Sequence, residues 1–372
     1  MYSIKPNILI IGPKLTGSSS GYGGGYGGVI TASNRLLDFL ERSGRNYFYC
    51  SCSVRTFNMF WFLNLPLRFI SDILKISYYL IRLRKNTIIH CITGSGFAVY
   101  RTMMMSLFAK VLCIPVVIDA RGNSLNKLAE GNESIPLLIS WKIILDFSKY
   151  ILVQQRSTRR SLEDHFGKKI IHHPNPIKER KSDRKNEILQ SEIIRIAFVG
   201  YCYEKKGVFD LVEGCNIASS KGVRIELNLI GQEENSFKVY LDNCKISSNL
   251  SIKRFGKQSF DFVQRKLCEF DIFIFPSFHP GEGHPNIINE AIYAGLSLIT
   301  TKVGTITEFL DDKKCYFIKP HSANDIARKI QHVLNNSVEA KQKANEALKY
   351  LKLNFFETVV YGELLKIYDD EY

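Results

Sequence analysis

The sequence predicts an α/β protein of two successive Rossmann-like halves, each a parallel sheet covered by helices. Three observations lead there. Short apolar runs of strand length alternate with amphipathic stretches of helical length as far as Gln154. A polar, charged stretch, PNPIKERKSDRKNEILQSE from Pro174 to Glu192, then interrupts them, and the alternation restarts at IIRIAFVG.

In the first half the expected strands are Asn7–Ile11, Tyr47–Cys52, Thr87–Cys91, Pro115–Asp119 and Tyr150–Gln154. Amphipathic segments such as Val29–Glu41 and Phe97–Leu112 lie between them. In the second half the expected strands are Ile193–Gly200, Arg224–Gly231 and Ser251–Phe255, then the apolar runs DIFIFP and LSLITT. Apolar runs of this length suit strands buried on both faces. Between the last two, Pro285 suits a first helical turn and Gly295 a helix end, so the segment is a βαβ unit. The division expected is an N-terminal domain over residues 1–180 and a C-terminal domain over 193–354. A terminal helix near Phe355–Tyr368 follows two helical stretches with no strand after it.

At 372 residues and 45% hydrophobic content, the chain can bury two sizeable cores. Its nine cysteines form no C-x-x-C pair, which argues against a metal ribbon or disulfide scaffold and fits reduced thiols in a cytosolic protein. No signal peptide is visible, and no run approaches the roughly 18 apolar residues of a membrane span. Charge is uneven: residues 1–190 hold 27 Lys and Arg against 12 Asp and Glu, and the remainder 23 against 24. A basic half of this kind suits an anionic partner. No RNA- or DNA-binding motif is present, so nucleic acid is not the expected one.

The densest chemistry lies in FPSFHPGEGHPNIINEAIYAGLSLITT, Phe275 to Thr301. It sets Glu282 in a Gly/Pro-rich loop and Glu290 in the helix that the loop opens. Ligands of such units collect at the carboxyl ends of the strands. A helix starting near Pro285–Asn286 turns free N–H groups and its positive dipole end toward an anion. Paired carboxylates also serve glycosidases, but Glu290, inside the helix body, is better placed to accept hydroxyl hydrogen bonds than to attack. An exposed helix glutamate is its plainest alternative.

These residues resemble the E-x7-E motif of retaining glycosyltransferases of the GT-B fold, in which two Rossmann-like domains face each other, and are most similar to glycosyltransferase family 4. Gly283, Pro285, Asn286, Ala291 and Gly295 stand where that pattern has them. The resemblance spans nearly the whole chain and is densest from Ile193 to Leu310. It assigns Glu282 and His284 to the donor sugar, the latter chiefly through its backbone N–H, and Glu290 to the ribose. Gly283 and Asn286 join the donor-binding set. The terminal helix is expected to complete the first domain.

FVGYCYEKKGVFDLVEG, Phe198 to Gly214, resembles the family signature whose arginine and lysine contact the donor diphosphate. Lys206 matches the lysine, where it would stabilise the leaving group's charge. Tyr201 stands at the arginine position, a departure, and Lys205 is a weak substitute. A solvated surface lysine is the plain alternative for Lys206.

GYGGGYGGVITASNRLLDFL follows the first strand, and its closing pair Gly27–Gly28 permits close backbone approach to a phosphate. A ligand-free flexible loop has the same composition. No Gly-Lys-Ser/Thr follows, so it is not a P-loop. VVIDARGNS places Asp119, Arg121 and Asn123 at a strand end; the arginine either forks onto a phosphate or pairs structurally with Asp119, and both readings stand. No D-x-D occurs, so no metal is expected at the diphosphate, and adjacent His172–His173 point to opposite faces of a strand.

Arg55–Lys85 joins aromatic bulk to six basic residues and one acidic. From Pro66, Leu67, Ile70, Leu74, Tyr78 and Ile81 follow helical spacing. A core-facing helix gives that stripe; Phe60, Trp61 and Phe62 with flanking arginines favour a surface resting on an anionic membrane.

The expectation is therefore a retaining, metal-independent glycosyltransferase moving a sugar from a UDP- or GDP-linked donor to a hydroxyl acceptor, without further cofactor. The acceptor implied is a glycan on a polyprenyl-diphosphate carrier, in bacterial surface polysaccharide assembly such as O-antigen, capsule or lipopolysaccharide. The enzyme would be peripheral on the inner, cytoplasmic face of the membrane. A nucleotide-sugar epimerase, a sugar-phosphate-forming enzyme and a non-catalytic membrane-binding module are the competing readings.

Overall fold

A computed structural model describes residues 5–13, 27–52, 61–83, 85–121, 124–179, 192–279 and 282–370. The glycine run up to Tyr26, residues 53–60, Arg84, Asn123 and most of the charged stretch lie outside them, as do the side chains of 61–65. The chain divides into two compact units. One comprises Met1–Thr16, Gly28–Pro176 and Glu357–Tyr372, and the other chiefly Ile177–Phe356.

The first unit runs β1 (Asn7–Gly12), α1 (Gly27–Arg42), β2 (Tyr47–Ser51), α2 (Trp61–Arg82), β3 (Thr87–Thr93), α3 (Phe97–Val111), β4 (Val116–Ala120), α4 (Ser124–Ala129), α5 (Ile135–Phe147), β5 (Tyr150–Val153), α6 (Arg156–Phe166) and β6 (Ile170–His172). The second runs β7 (Ile194–Val199), α7 (Val208–Ser220), β8 (Ile225–Ile230), α8 (Asn235–Asn243), β9 (Leu250–Arg254), α9 (Phe260–Leu267), β10 (Ile272–Phe275), α10 (Asn286–Tyr293), β11 (Ser297–Thr301), α11 (Ile306–Phe309), β12 (Tyr316–Ile318), α12 (Ala323–Asn335) and α13 (Ser337–Phe355). Helix α14 (Glu357–Asp369) then belongs to the first unit.

Each unit holds one six-stranded parallel sheet, ordered β2-β1-β3-β4-β5-β6 and β12-β11-β10-β7-β8-β9. Strand order reverses between β1 and β3 in the first and between β7 and β10 in the second. A crevice opens at such reversal points, beyond the strands' carboxyl ends. Helix-covered faces explain why the central strands carry unbroken apolar runs: every residue of β3, β4 and β10 is buried.

In the first sheet, one face packs on α2, α3 and α5 through Ile76, Leu80, Met105, Trp141 and Ile144. The opposite face packs on α1 and α14 through Leu36, Leu40, Tyr361, Leu364 and Tyr368. Ion pairs at the rim, Arg42 with Glu357 at 2.9 Å and Arg45 with Asp369 at 2.6 Å, fasten α14 to the end of α1 and the turn after it. The stripe Leu67, Ile70, Leu74, Tyr78 and Ile81 lies on the outside of α2; Asp72, Ile76 and Leu80 face inward. Asp72 is tolerated there because the buried Arg101 of α3 donates to it at 3.0 Å.

Candidate functional site

In the second unit the chain leaves β7 through Gly200–Tyr203 and makes a 3-10 turn at Glu204–Lys206 before α7. Gly207 ends that turn with φ 69°. A Cβ there would lie 2.2 Å from the Pro276 carbonyl oxygen, so only glycine lets the turn lie against the end of β10. Phe278 N–H closes the contact by donating to the Lys205 carbonyl at 2.9 Å. Lys206 is thereby fixed at the reversal point of the sheet.

Glu282 reaches the same place from β10. Lys206 Nζ donates to its Oε1 at 2.9 Å and Oε2 at 2.6 Å, and Ser277 Oγ donates to Oε2 at 2.8 Å. The lysine side chain is 19% exposed and the carboxylate 9%. The ammonium also lies 5.3 Å from the centroid of the Phe275 ring. Ser277 is fully buried and held by Thr301 Oγ1, which donates to its carbonyl. Gly304, at φ 55°, admits the Glu282 carbonyl where a Cβ would come within 2.0 Å of it.

Beyond Glu282 the loop enters α10 at Pro285, and no side chain caps that helix among the described residues. Its leading N–H groups are therefore not held by a side chain. Asn286 opens the helix and is half-buried, as is Gly283. The His284 ring turns away into an aromatic cluster, 4.2 Å from Phe309 and 4.9 Å from Phe355, with Nε2 2.8 Å from Asn289 Nδ2. That leaves its backbone, rather than its imidazole, at the loop. Glu290 is 2% exposed, and Gln264 of α9 donates to its Oε2 at 2.8 Å. An exposed helix glutamate is thereby excluded.

Tyr201, Tyr203 and His279 form an aromatic shelf beside this pair, with successive ring centroids 5.2 and 6.4 Å apart. Burial, then the Glu282 charge, raises the Tyr203 hydroxyl above its usual range. Sequence reasoning passed over Ser277, Gln264 and this shelf. A tyrosine two residues after an expected arginine position was the one available signal.

The remaining candidates follow strands of the first sheet. Gly27 and Gly28 begin α1, after β1 at the other reversal point. Asp119 and Arg121 end β4, 2% and 3% exposed. Arg121 Nε donates to Asp119 Oδ1 at 2.6 Å and Nη1 to Asn175 Oδ1 at 2.5 Å. His90 Nε2 stands 3.7 Å from the second carboxylate oxygen, and its Nδ1 lies 2.7 Å from the Tyr368 hydroxyl of α14. Burial alone would raise Asp119, but the Arg121 guanidinium and the nearby His90 imidazole outweigh it and hold the carboxyl well below its usual range. Burial pulls His173 down to about 3, Arg121 adding to the effect and Asp119 opposing it.

A strand-order reversal in each parallel sheet, with an acid, a lysine and an uncapped helix start at one of them, makes this a doubly wound α/β protein. The family profile of the glycosyl transferases group 1 matches residues 179–350, which include Lys206, Glu282 and Glu290. The capsular polysaccharide biosynthesis glycosyltransferase CapM of Staphylococcus aureus is 24% identical over 194 residues, 51% of this chain and 49% of CapM. The chain spans about half the length of the curated relatives it matches. Anabaena HepE, solved with UDP and glucose, superposes with a TM-score of 0.63 at 12% identity, covering 97% of this chain and 99% of HepE. The lipopolysaccharide outer core galactosyltransferase WaaB does so with 0.67 at 17% identity, covering 98% and 100%. The fold is GT-B.

Proposed function

We propose that the protein is a retaining glycosyltransferase that moves a sugar from a nucleoside diphosphate sugar to a hydroxyl of a lipid-linked glycan in bacterial surface polysaccharide assembly. One observation carries the reading. Lys206 and Glu282, 76 positions apart in the chain, meet where β7 and β10 diverge, beside the uncapped start of α10. A cation and a helix start suit a diphosphate, and a buried, oriented carboxylate suits sugar hydroxyls.

Within it, Lys206 and the start of α10 hold the diphosphate, and Glu282, Gly283 and the His284 backbone hold the donor sugar. Asn286 presents an N–H at the start of α10, and Glu290 accepts from the ribose with Gln264 fixing its rotamer. Asp119 and Arg121 form a rigid, charged strand end at the acceptor side. Transfer breaks the bond from the anomeric carbon to the diphosphate oxygen and forms the bond to the acceptor oxygen on the same face. The acceptor's proton passes to the departing phosphate oxygen, whose growing charge Lys206 and the helix start stabilise. Support for the donor comes from HepE, solved with UDP, and for the setting from CapM and WaaB, named for capsule and lipopolysaccharide synthesis.

The test is a screen of UDP- and GDP-sugars for thermal stabilisation, since a ligand of the folded state raises the midpoint by mass action. One donor should stabilise, and its nucleotide should be released only when a glycan acceptor is added. Release of sugar phosphate or epimerised donor without acceptor overturns transfer.

A further inference from the structure

Helix α2 carries apolar side chains on two opposite sides. Ile76 and Leu80 enter the core, while Leu67, Ile70, Leu74, Tyr78 and Ile81 stand outward at 54 to 67% exposure. An ordinary surface helix would place polar residues there. The neighbouring helices continue the face: α3 packs between α2 and α5, and all three turn their inner sides to the same core. Their outer sides expose Met104 and Val111 on α3 and Ile135 and Ile139 on α5. Large apolar side chains exposed on three successively packed helices mark an interaction surface.

The charges on the layer say what covers it. Lys75 and Arg82 flank the α2 stripe, Lys110 adjoins Val111, and Lys142 lies one turn beyond Ile139, all exposed. The exposed acid on these outer helix faces is Asp146 of α5. Arg82 lies over the Tyr78 ring at 5.9 Å and donates to its hydroxyl at 2.8 Å, so an aliphatic stem crosses the apolar strip and lifts its charge to the edge. Against a second copy of the chain, a two-fold contact would oppose like charges. Against a lipid surface the same pattern is complementary, with side chains entering the acyl boundary and cations meeting headgroups. No helix among the described residues is long and apolar enough to cross a membrane, so α2, about 33 Å long, would lie along it.

We propose that the outer layer of α2, α3 and α5 is a docking face for a bilayer rich in anionic lipid. It deepens the proposed function by bringing the first unit to the membrane where a lipid-linked acceptor resides. Vesicle binding is read without donor or acceptor, and nucleotide release can be read with a soluble acceptor, so either can fail alone.

Flotation of the full chain with phosphatidylcholine vesicles, with and without phosphatidylglycerol, tests it. The protein should float with the anionic vesicles at low salt and be released by high salt. Each cation near such a surface is worth roughly fivefold in partitioning, so Lys75→Gln, Arg82→Gln and Lys110→Gln together should weaken it on the order of a hundredfold. Leu67→Gln, Leu74→Gln and Ile81→Gln should also abolish flotation. Because these side chains are exposed, both variants should keep the wild-type melting midpoint, which establishes that they fold. Three results overturn the proposal: no flotation at low salt, equal flotation without phosphatidylglycerol, or variants that float like the wild type. A dimer that the leucine variant dissociates, with no flotation, would assign the face to a second copy.

Discussion

Lys206 and Glu282 neutralise one another at 2.6 Å, and that pairing changes what a substitution does. A diphosphate that draws the ammonium away must compete with a mostly buried carboxylate. Glu282→Gln removes the competitor while leaving a hydrogen-bonding side chain of the same shape. Affinity for UDP should therefore rise, by about tenfold for one charge-assisted bond, while turnover falls by on the order of a hundredfold or more. Isothermal titration beside steady-state kinetics separates the two, and a fall in both would move Glu282 away from the sugar. Tyr201 offers a second measurement at the same scale. Tyr201→Arg returns the cation that the family signature has there, so UDP binding should tighten and become more salt-dependent. Unchanged affinity would mean the Tyr201–Tyr203–His279 shelf does not adjoin the diphosphate. The positions of Glu282, Glu290 and Lys206 were legible because a loop, a helix start and a glycine turn each leave residues of fixed type at fixed spacing. Ser277 and Gln264 were not, since a serine at a strand end and a glutamine on a helix gain their partners only by packing.

Strands of four or more residues were read within a few positions, because parallel strands buried on both faces leave unbroken apolar runs. The three-residue strands β6 and β12 were missed among the expected strands: Ile170–His172 and Tyr316–Ile318 are too short to show a period. The stripe on α2 showed helical spacing but not its direction, since both sides of that helix are apolar. Helix α14 shows the reverse case, where a buried polar cluster unites elements far apart in sequence. Tyr361 lies against His173, with ring centroids 6.0 Å apart, and Tyr368 meets His90. This cluster makes stability depend on pH. His173 titrates near 6.5 when unfolded and near 3 when folded, so between those values the unfolded chain binds the extra proton and stability falls as pH falls. Asp119 acts below 3.8, where protonation removes the benefit of its pairing with Arg121. A melting series from pH 7 down to about 4 should slope downward, and His173→Gln should flatten most of that slope. An unchanged slope would show that His173 is not held neutral.

Over the whole molecule, charge is distributed unevenly along the chain. Residues 1–190 carry the entire excess of cations, and the remainder is balanced, with 23 Lys and Arg against 24 Asp and Glu. A nucleoside diphosphate brings negative charge that must be met by a divalent ion or by the protein's own groups. The sequence contains no D-x-D to hold such an ion. Lys206 and the opening of α10 stand at one sheet reversal, and the glycine start of α1 at the other. Fixed cations and backbone N–H groups do not leave with a chelator. Turnover should therefore persist within about twofold in excess EDTA, and added magnesium or manganese should not raise it. It should fall instead with Lys206→Met, which removes the cation and leaves the stem, by on the order of a hundredfold. Loss of activity in EDTA with recovery on magnesium would place a metal at the diphosphate and reassign Glu282 from the sugar to that ion.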